Sequence, residues 1–215
     1  SLWSAGSLSC MIAFGTDWFR ALLKGANDMD THVRTSPLVY NMALRLALID
    51  YWNMTLRNVD AEMVLAYANA LRLLPAYLQQ LLLESNGKQV APDGSPAPAP
   101  SIVGHWGGEG TIGQHSYHQW LHQGSSHIAA EFVIAATPGS EPKGTSALIA
   151  HALAQAEVLA NGYKLEDINE NEPDIDPAIA NQKVIPGGKP SMIFACRDFG
   201  PEALGALIAL YEHRV

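Results

Sequence analysis

Ile128-Ala129-Ala130-Glu131-Phe132-Val133-Ile134-Ala135-Ala136 runs into Thr137-Pro138-Gly139, and a helical stretch opens at Thr145. The apolar run bounded by turn residues reads as a strand. Thr145 caps a helix that reaches Leu159 and ends at Asn161-Gly162, with glycine where a helix terminus accepts it. The same unit recurs on both sides. Ile102-Val103 reads as a strand followed by turn residues and a helical stretch, Ser191 to Cys196 as a last strand, and Pro201 opens the last helix. Strands alternating with helices predict an α/β domain around a mostly parallel sheet. No internal repeat is visible.

The first eighty residues read as mostly helical. Thr16 and Asp17 open a short helix that Lys24-Gly25 closes, and Ser36-Pro37 starts another. Residues 38–52 are apolar nearly all round, which predicts a buried helix. Asp60 caps a third, which Pro75 breaks or kinks before Gln79-Gln80. Leu81-Leu82-Leu83 then forms a short apolar run ended by Glu84-Ser85-Asn86-Gly87, and residues 92–100, rich in proline and alanine, form a surface loop.

Composition excludes several classes. With 215 residues, 48% hydrophobic and 16% charged, the chain can build one large core. Thirteen scattered basic residues against twenty-one acidic ones leave a net charge of −8, the wrong sign for a nucleic-acid surface. No apolar run approaches the roughly eighteen residues that a membrane span requires. Cys10 and Cys196 are far apart and lack metal-type spacing, so they read as reduced, partly buried thiols of a cytosolic protein. The chain opens at Ser1 on apolar residues and stops within an apolar helix, which reads as a piece of a longer protein.

Three features could carry chemistry. His115, His118 and His122 fall at i, i+3 and i+7 on an expected helix, which would put them near one face and makes a zinc site the tempting reading. Neither a HExxH pattern nor a nearby cysteine completes such a set, and one functional histidine with packing neighbours is the plainer alternative. Gly107-Gly108-Glu109-Gly110-Thr111-Ile112-Gly113 is a glycine-rich loop between strand and helix, able to offer N–H groups to an anion or simply to turn. Glu84, read as ending a buried strand beside a cleft, suits general-base work; capping the turn is its structural alternative.

These pieces resemble the glucose-6-phosphate isomerase family. Gln79-Gln80-Leu81-Leu82-Leu83-Glu84-Ser85-Asn86-Gly87-Lys88 resembles that family's QQ, three residues, then ESNGK. Trp106 to His115 resembles its WG-x-x-GTNGQH stretch, and His122-Gln123-Gly124 continues the match. Ser1-Leu2-Trp3-Ser4-Ala5, the stretch from Gly25 to Leu38, Lys183 to Ser191 and Gly205 to Val215 resemble further family segments in the same order. Leu81-Leu82 replaces a more polar pair, Ile112 replaces the usual Asn, and residues 163–180 differ from the commoner members.

The resemblance implies the second sugar isomerase (SIS) domain of a two-domain enzyme, doubly wound and flavodoxin-like, truncated at both ends and without the first domain. It implies interconversion of glucose 6-phosphate and fructose 6-phosphate through a cis-enediol, with no metal or organic cofactor. By the same resemblance Glu84 is the base, Gln80 lines the sugar site, and His115 assists ring opening at the neighbouring subunit of a cytoplasmic homodimer. An arginine just before Ser1, a lysine beyond Val215 and a Ser/Thr phosphate cradle in the first domain would complete the machinery, so the 215 residues alone are expected to be inactive. A non-catalytic sugar-phosphate-binding SIS domain and a zinc-dependent hydrolase are the competing readings.

Overall fold

Helices α1 (Leu8–Phe14), α2 (Thr16–Thr35) and α3 (Met42–Thr55) open the chain in the computed structural model, which describes residues 2–135 and 144–215. Strand β1 (Ala61–Tyr67), helix α4 (Leu74–Asn86), strand β2 (Gly104–Glu109), short helices α5 (Gly110–Gly113) and α6 (His118–Gln123), and strand β3 (Ile128–Ala135) follow. Helices α7 (Thr145–Asn161), α8 (Leu165–Asn171) and α9 (Pro177–Lys183), strand β4 (Ser191–Cys196) and helix α10 (Pro201–Arg214) complete it. Two compact units result, Ser1–Trp52 with Cys196–Val215, and Asn53–Ala195.

The first unit is organised by close approach of α2 and α10. Gly25 does not end a helix as expected; α2 runs ten residues past it to Thr35. A Cβ on Gly25 would sit 1.8 Å from the Glu202 carbonyl oxygen, and one on Gly205 2.0 Å from that of Leu22. Each helix thus offers a glycine to the other's backbone. Lys24 bridges Asp28 and Glu202 at 2.9 and 3.2 Å on the exposed side of this contact. Arg214 donates to both oxygens of Asp50 at 2.6 Å, a buried bidentate pair that fastens α10 to α3. Asn41 opens α3, its side-chain oxygen accepting from Leu44 N at 3.2 Å. The expected burial of residues 38–52 holds only in part: Ala43 and Leu46 are buried, whereas Leu38, Val39, Tyr40, Leu48, Tyr51 and Trp52 are all more than half exposed. An apolar composition on every side specifies no covering partner.

The second unit holds most of the sheet, ordered β2-β1-β3-β4, with β1 parallel to both β2 and β3. Asp60 caps no helix. Its N–H donates to His127 O (2.7 Å) and its carboxylate accepts from His127 N (3.0 Å), clipping together the starts of β1 and β3. Residues 61–67 include good helix formers, but six of the seven are buried between two strands and tertiary context overrides propensity. Pro75 opens α4 rather than breaking a helix, and Leu81-Leu82-Leu83 belongs to α4, not to a strand. The second strand begins just after the expected Ile102-Val103, and residues 107–109 are strand rather than loop. Expectation and structure agree for β4 and α10, and for β3 up to Ala135; Ala136 and Ser1 lie outside the described residues.

The connection β1–α4–β2 moves to one side of β1, and β3–α7–β4 moves to the other. Right-handed crossovers then place α4 and α7 on opposite faces, the doubly wound arrangement. Burial agrees. Ala152, Ala156 and Leu159 of α7 join Met63, Leu65, Tyr67 and Phe132 in one apolar cluster, whereas Leu74, Leu78 and Leu82 of α4 are buried outside it. Cys10 and Cys196 are free thiols of intermediate burial. Among the described residues no helix is long and apolar enough to cross a membrane.

Gly25→Ala tests the helix contact by its sign. Alanine at a free helical position stabilises by about 0.8–1 kcal/mol over glycine. Against the Glu202 carbonyl it should instead cost about 1–3 kcal/mol of overpacking. Thermal unfolding is expected to show a melting temperature lower by several degrees; a rise would place Gly25 outside the contact.

Candidate active site

Gln80 and Glu84 stand one turn apart on an exposed side of α4, and Gln80 Nε2 donates to Glu84 Oε2 at 3.2 Å. Glu84 therefore sits in the last turn of a helix, not at the end of a buried strand. The residues after it build the helix stop. Lys88 Nζ donates to the carbonyls of Glu84 (2.8 Å) and Ser85 (2.6 Å), placing a cation on the helix's negative end. Gly87 N bonds Leu83 O, and a Cβ on Gly87 would lie 2.3 Å from that oxygen, so the turn requires glycine. Ser101 Oγ donates to Asn86 O and Lys88 O, tying the end of α4 to the approach to β2. A cavity of about 610 Å³ opens beside Ser85, Asn86 and Lys88, walled by the Pro/Ala-rich segment.

The glycine-rich segment is a packing device. A Cβ on Gly107 would come within 1.9 Å of Val64 O, and one on Gly110 within 2.1 Å of the Tyr67 ring. Bare backbone lets β2 and α5 lie flush on β1. His115 follows α5 and is exposed; its N–H donates to Ile112 O at 3.1 Å. Gln114 beside it donates to the Tyr67 hydroxyl at 3.0 Å.

The three histidines do not share a face. His118 and His122 lie on α6, four residues apart, and converge on one acceptor of α7: His118 Nδ1 and His122 Nε2 lie 3.2 and 2.5 Å from Gln155 Oε1. Since an amide oxygen only accepts, both facing nitrogens carry protons. His115 precedes α6 and is absent from this cluster. Among the described residues no three His, Cys, Asp or Glu side chains form a metal-binding group, so the expected three-histidine geometry is missing. Burial depresses the pKa of both His118 and His122, opposed in each case by the Gln155 bond.

Glu84 and His115 lie at opposite ends of the sheet. Residues 110–113 adjoin Tyr67, where β1 finishes. The last turn of α4 is tied through Ser101 to the start of β2, which pairs with Ala61, where β1 begins. The reason is the helical location of Glu84: a crossover helix carries its C-terminal residues back to the strands' amino ends. One chain does not bring these two side chains together.

Sequence reasoning also passed over charged groups inside the sheet. Glu62, Glu131 and His105 are essentially inaccessible, and His105 Nε2 lies 3.5 Å from Glu62 Oε2 across the β1–β2 pair. An acidic residue interrupting an apolar strand was the available signal.

Comparison with known proteins closes the assignment of family. The family model described as phosphoglucose isomerase matches residues 1–215. A glucose-6-phosphate isomerase of Mesorhizobium japonicum is 43% identical over 225 residues, covering 100% of this chain and 41% of its own length. One from Burkholderia orbicola is 42% identical over 220 residues, with 100% and 40% coverage. The crystal structure of a glucose-6-phosphate isomerase from Chlamydia trachomatis superposes with a TM-score of 0.85 at 30% identity, over 97% of this chain and 39% of that one. The chain belongs to the phosphoglucose isomerase family. It spans about two fifths of the length of the relatives it matches.

The buried imidazoles carry a pH dependence. Their folded pKa values lie below the ordinary value of 6.5, so the unfolded chain binds more protons in acid. Their contribution to stability is present above about pH 6.5 and is lost as pH falls below it toward the folded pKa. The melting temperature should decline over that window, and His118→Gln should flatten the decline. An unchanged slope in the variant would assign it to other groups.

Proposed function

We propose that this chain supplies the base-bearing domain of a glucose-6-phosphate isomerase. What carries the reading is the Gln80–Glu84 pair on α4, within a chain whose relatives carry that name along its whole length. In the proposed reaction Glu84 removes the C2 proton of open-chain glucose 6-phosphate while the C1 carbonyl oxygen gains a proton, giving a cis-enediol. Return of the proton to C1, with loss of the C2 hydroxyl proton, yields fructose 6-phosphate. The exposed carboxylate keeps one oxygen oriented by Gln80 and the other available to the substrate. His115 moves the proton that opens the sugar ring. Since Glu84 and His115 occupy opposite ends of one sheet, His115 serves the site of a second subunit in a homodimer. The phosphate cradle and enediolate-stabilising cations come from the remaining length of the family's polypeptide, so the 215 residues by themselves are proposed to be inactive. A cytoplasmic location fits a sugar-phosphate substrate.

Glu84→Gln, made in the full-length polypeptide, preserves shape and the Gln80 contact but cannot accept the C2 proton. Turnover should fall by about 10²–10⁴-fold or more, with an unchanged melting temperature. Near-normal turnover would give Glu84 a structural role. His115→Ala should impair cyclic substrate more than pre-opened substrate, because only the former needs ring opening. Equal losses would move His115 to the isomerisation step or to folding.

A further inference from the structure

At the amino ends of β1 and β3, a cavity of about 500 Å³ is lined by Arg57, Lys189, Ser125, Ser126, Gly187 and Gly188, with an apolar wall that includes Ile128 and Pro190. Neither Gln80, Glu84 nor His115 contributes to it. Among the described residues no carboxylate lines it either, although acidic residues outnumber basic ones in the chain by 21 to 13. Asp60 accepts from His127 N at 3.0 Å, and His127 Nδ1 lies 3.3 Å from Arg57 O.

Both cations are held by backbone carbonyls rather than by acids. Arg57 Nη2 donates to Gly188 O at 2.7 Å, which leaves most of the guanidinium N–H groups unspent. Lys189 Nζ donates to Leu121 O at 2.5 Å and Gly124 O at 3.1 Å, which leaves one of its three protons. Among the described residues neither side chain forms an ion pair, and burial without a counter-ion lowers the Lys189 pKa. The hydroxyls of Ser125 and Ser126 make no hydrogen bond among the described residues. Two uncompensated cations and two free hydroxyls, fixed by carbonyl anchors around one recess, match a tetrahedral oxyanion: a guanidinium fork, a point charge and neutral donors.

We propose that this cavity binds a phosphate group, free or carried by a small monoester. The recess exceeds the volume of a bare phosphate, and the Ile128–Pro190 wall can receive the rest of a monoester. The site stands on its own residues and does not depend on the isomerase reading.

The test is amide-resolved NMR of the purified protein titrated with inorganic phosphate, with glucose 6-phosphate, and with glucose as the neutral control. Both phosphates should shift the amides of Ser125, Ser126, Gly187 and Gly188, and glucose should not. Saturation by glucose 6-phosphate at lower concentration would identify a monoester site; equal saturation would identify free phosphate, and either supports the proposal. Arg57→Gln should weaken the response at these amides by about tenfold or more, through loss of charge-assisted hydrogen bonds. Should that variant fail to fold, Ser125→Ala with Ser126→Ala removes two donors while sparing the anchors, and should also weaken binding. Amides that stay unmoved by phosphate, that move equally with glucose, or that respond unchanged in a folded variant would overturn the proposal.

Discussion

Parallel pairing of β1 with β2 obliges the chain to travel the length of the sheet between the two strands, and α4 is the element that makes the journey. Its first turn leaves the end of β1, and its last turn must arrive where β2 begins. Every residue near that last turn is therefore placed at the strands' amino ends, whatever chemistry it carries. Residues that follow β2 are placed at the carboxyl ends by the same constraint. Glu84 and His115 are separated because of this topology, not because of any local preference. The glycines of β2 and α5 make the pairing possible, since Gly107 and Gly110 let backbone lie against Val64 and Tyr67 where a side chain would collide.

Elements with one decisive local signal were legible in the sequence. Pro201 at a helix start, Gly162 at a helix end and the apolar run of β3 each admit one reading, and the structure has them there. Elements with two readings went wrong in instructive ways. Gly25 looks like a stop because glycine favours helix ends, yet it is retained inside α2 for the carbonyl of Glu202 that presses on it. Helix formers in residues 61–67 suggest a helix, but two flanking strands bury them as a strand. Leu81-Leu82-Leu83 carries no period of its own, and only the helix around it decides.

The candidate site residues could be named from the sequence, but their places could not. Gln80 and Glu84 were identified from their motif, and the i, i+4 contact between them follows once the segment is known to be helical. The position of Glu84 relative to His115 depends on strand order and crossover, which no local pattern encodes. The histidine series misled for a related reason: a helix break before His118 removes His115 from the periodicity that counting assumed. The buried pair His105 and Glu62 emerged only from strand register, because they are distant in sequence and opposite in the ladder. The cationic side chains of Arg57 and Lys189 share one recess for the same reason, being brought together by the loops at the sheet's amino edge.

The central claim is that Glu84 of one subunit and His115 of another complete a single isomerase site. Complementation measures it directly. Full-length Glu84→Gln and His115→Ala proteins, each of low activity, are mixed in equal amounts, dissociated and reassociated. Each mixed dimer then holds one site with both defects and one site with neither. Random pairing of a two-fold dimer predicts recovery of about a quarter of the unmodified activity. Activity of the mixture no higher than the average of the two separate variants would place both groups in one subunit's site and contradict the account.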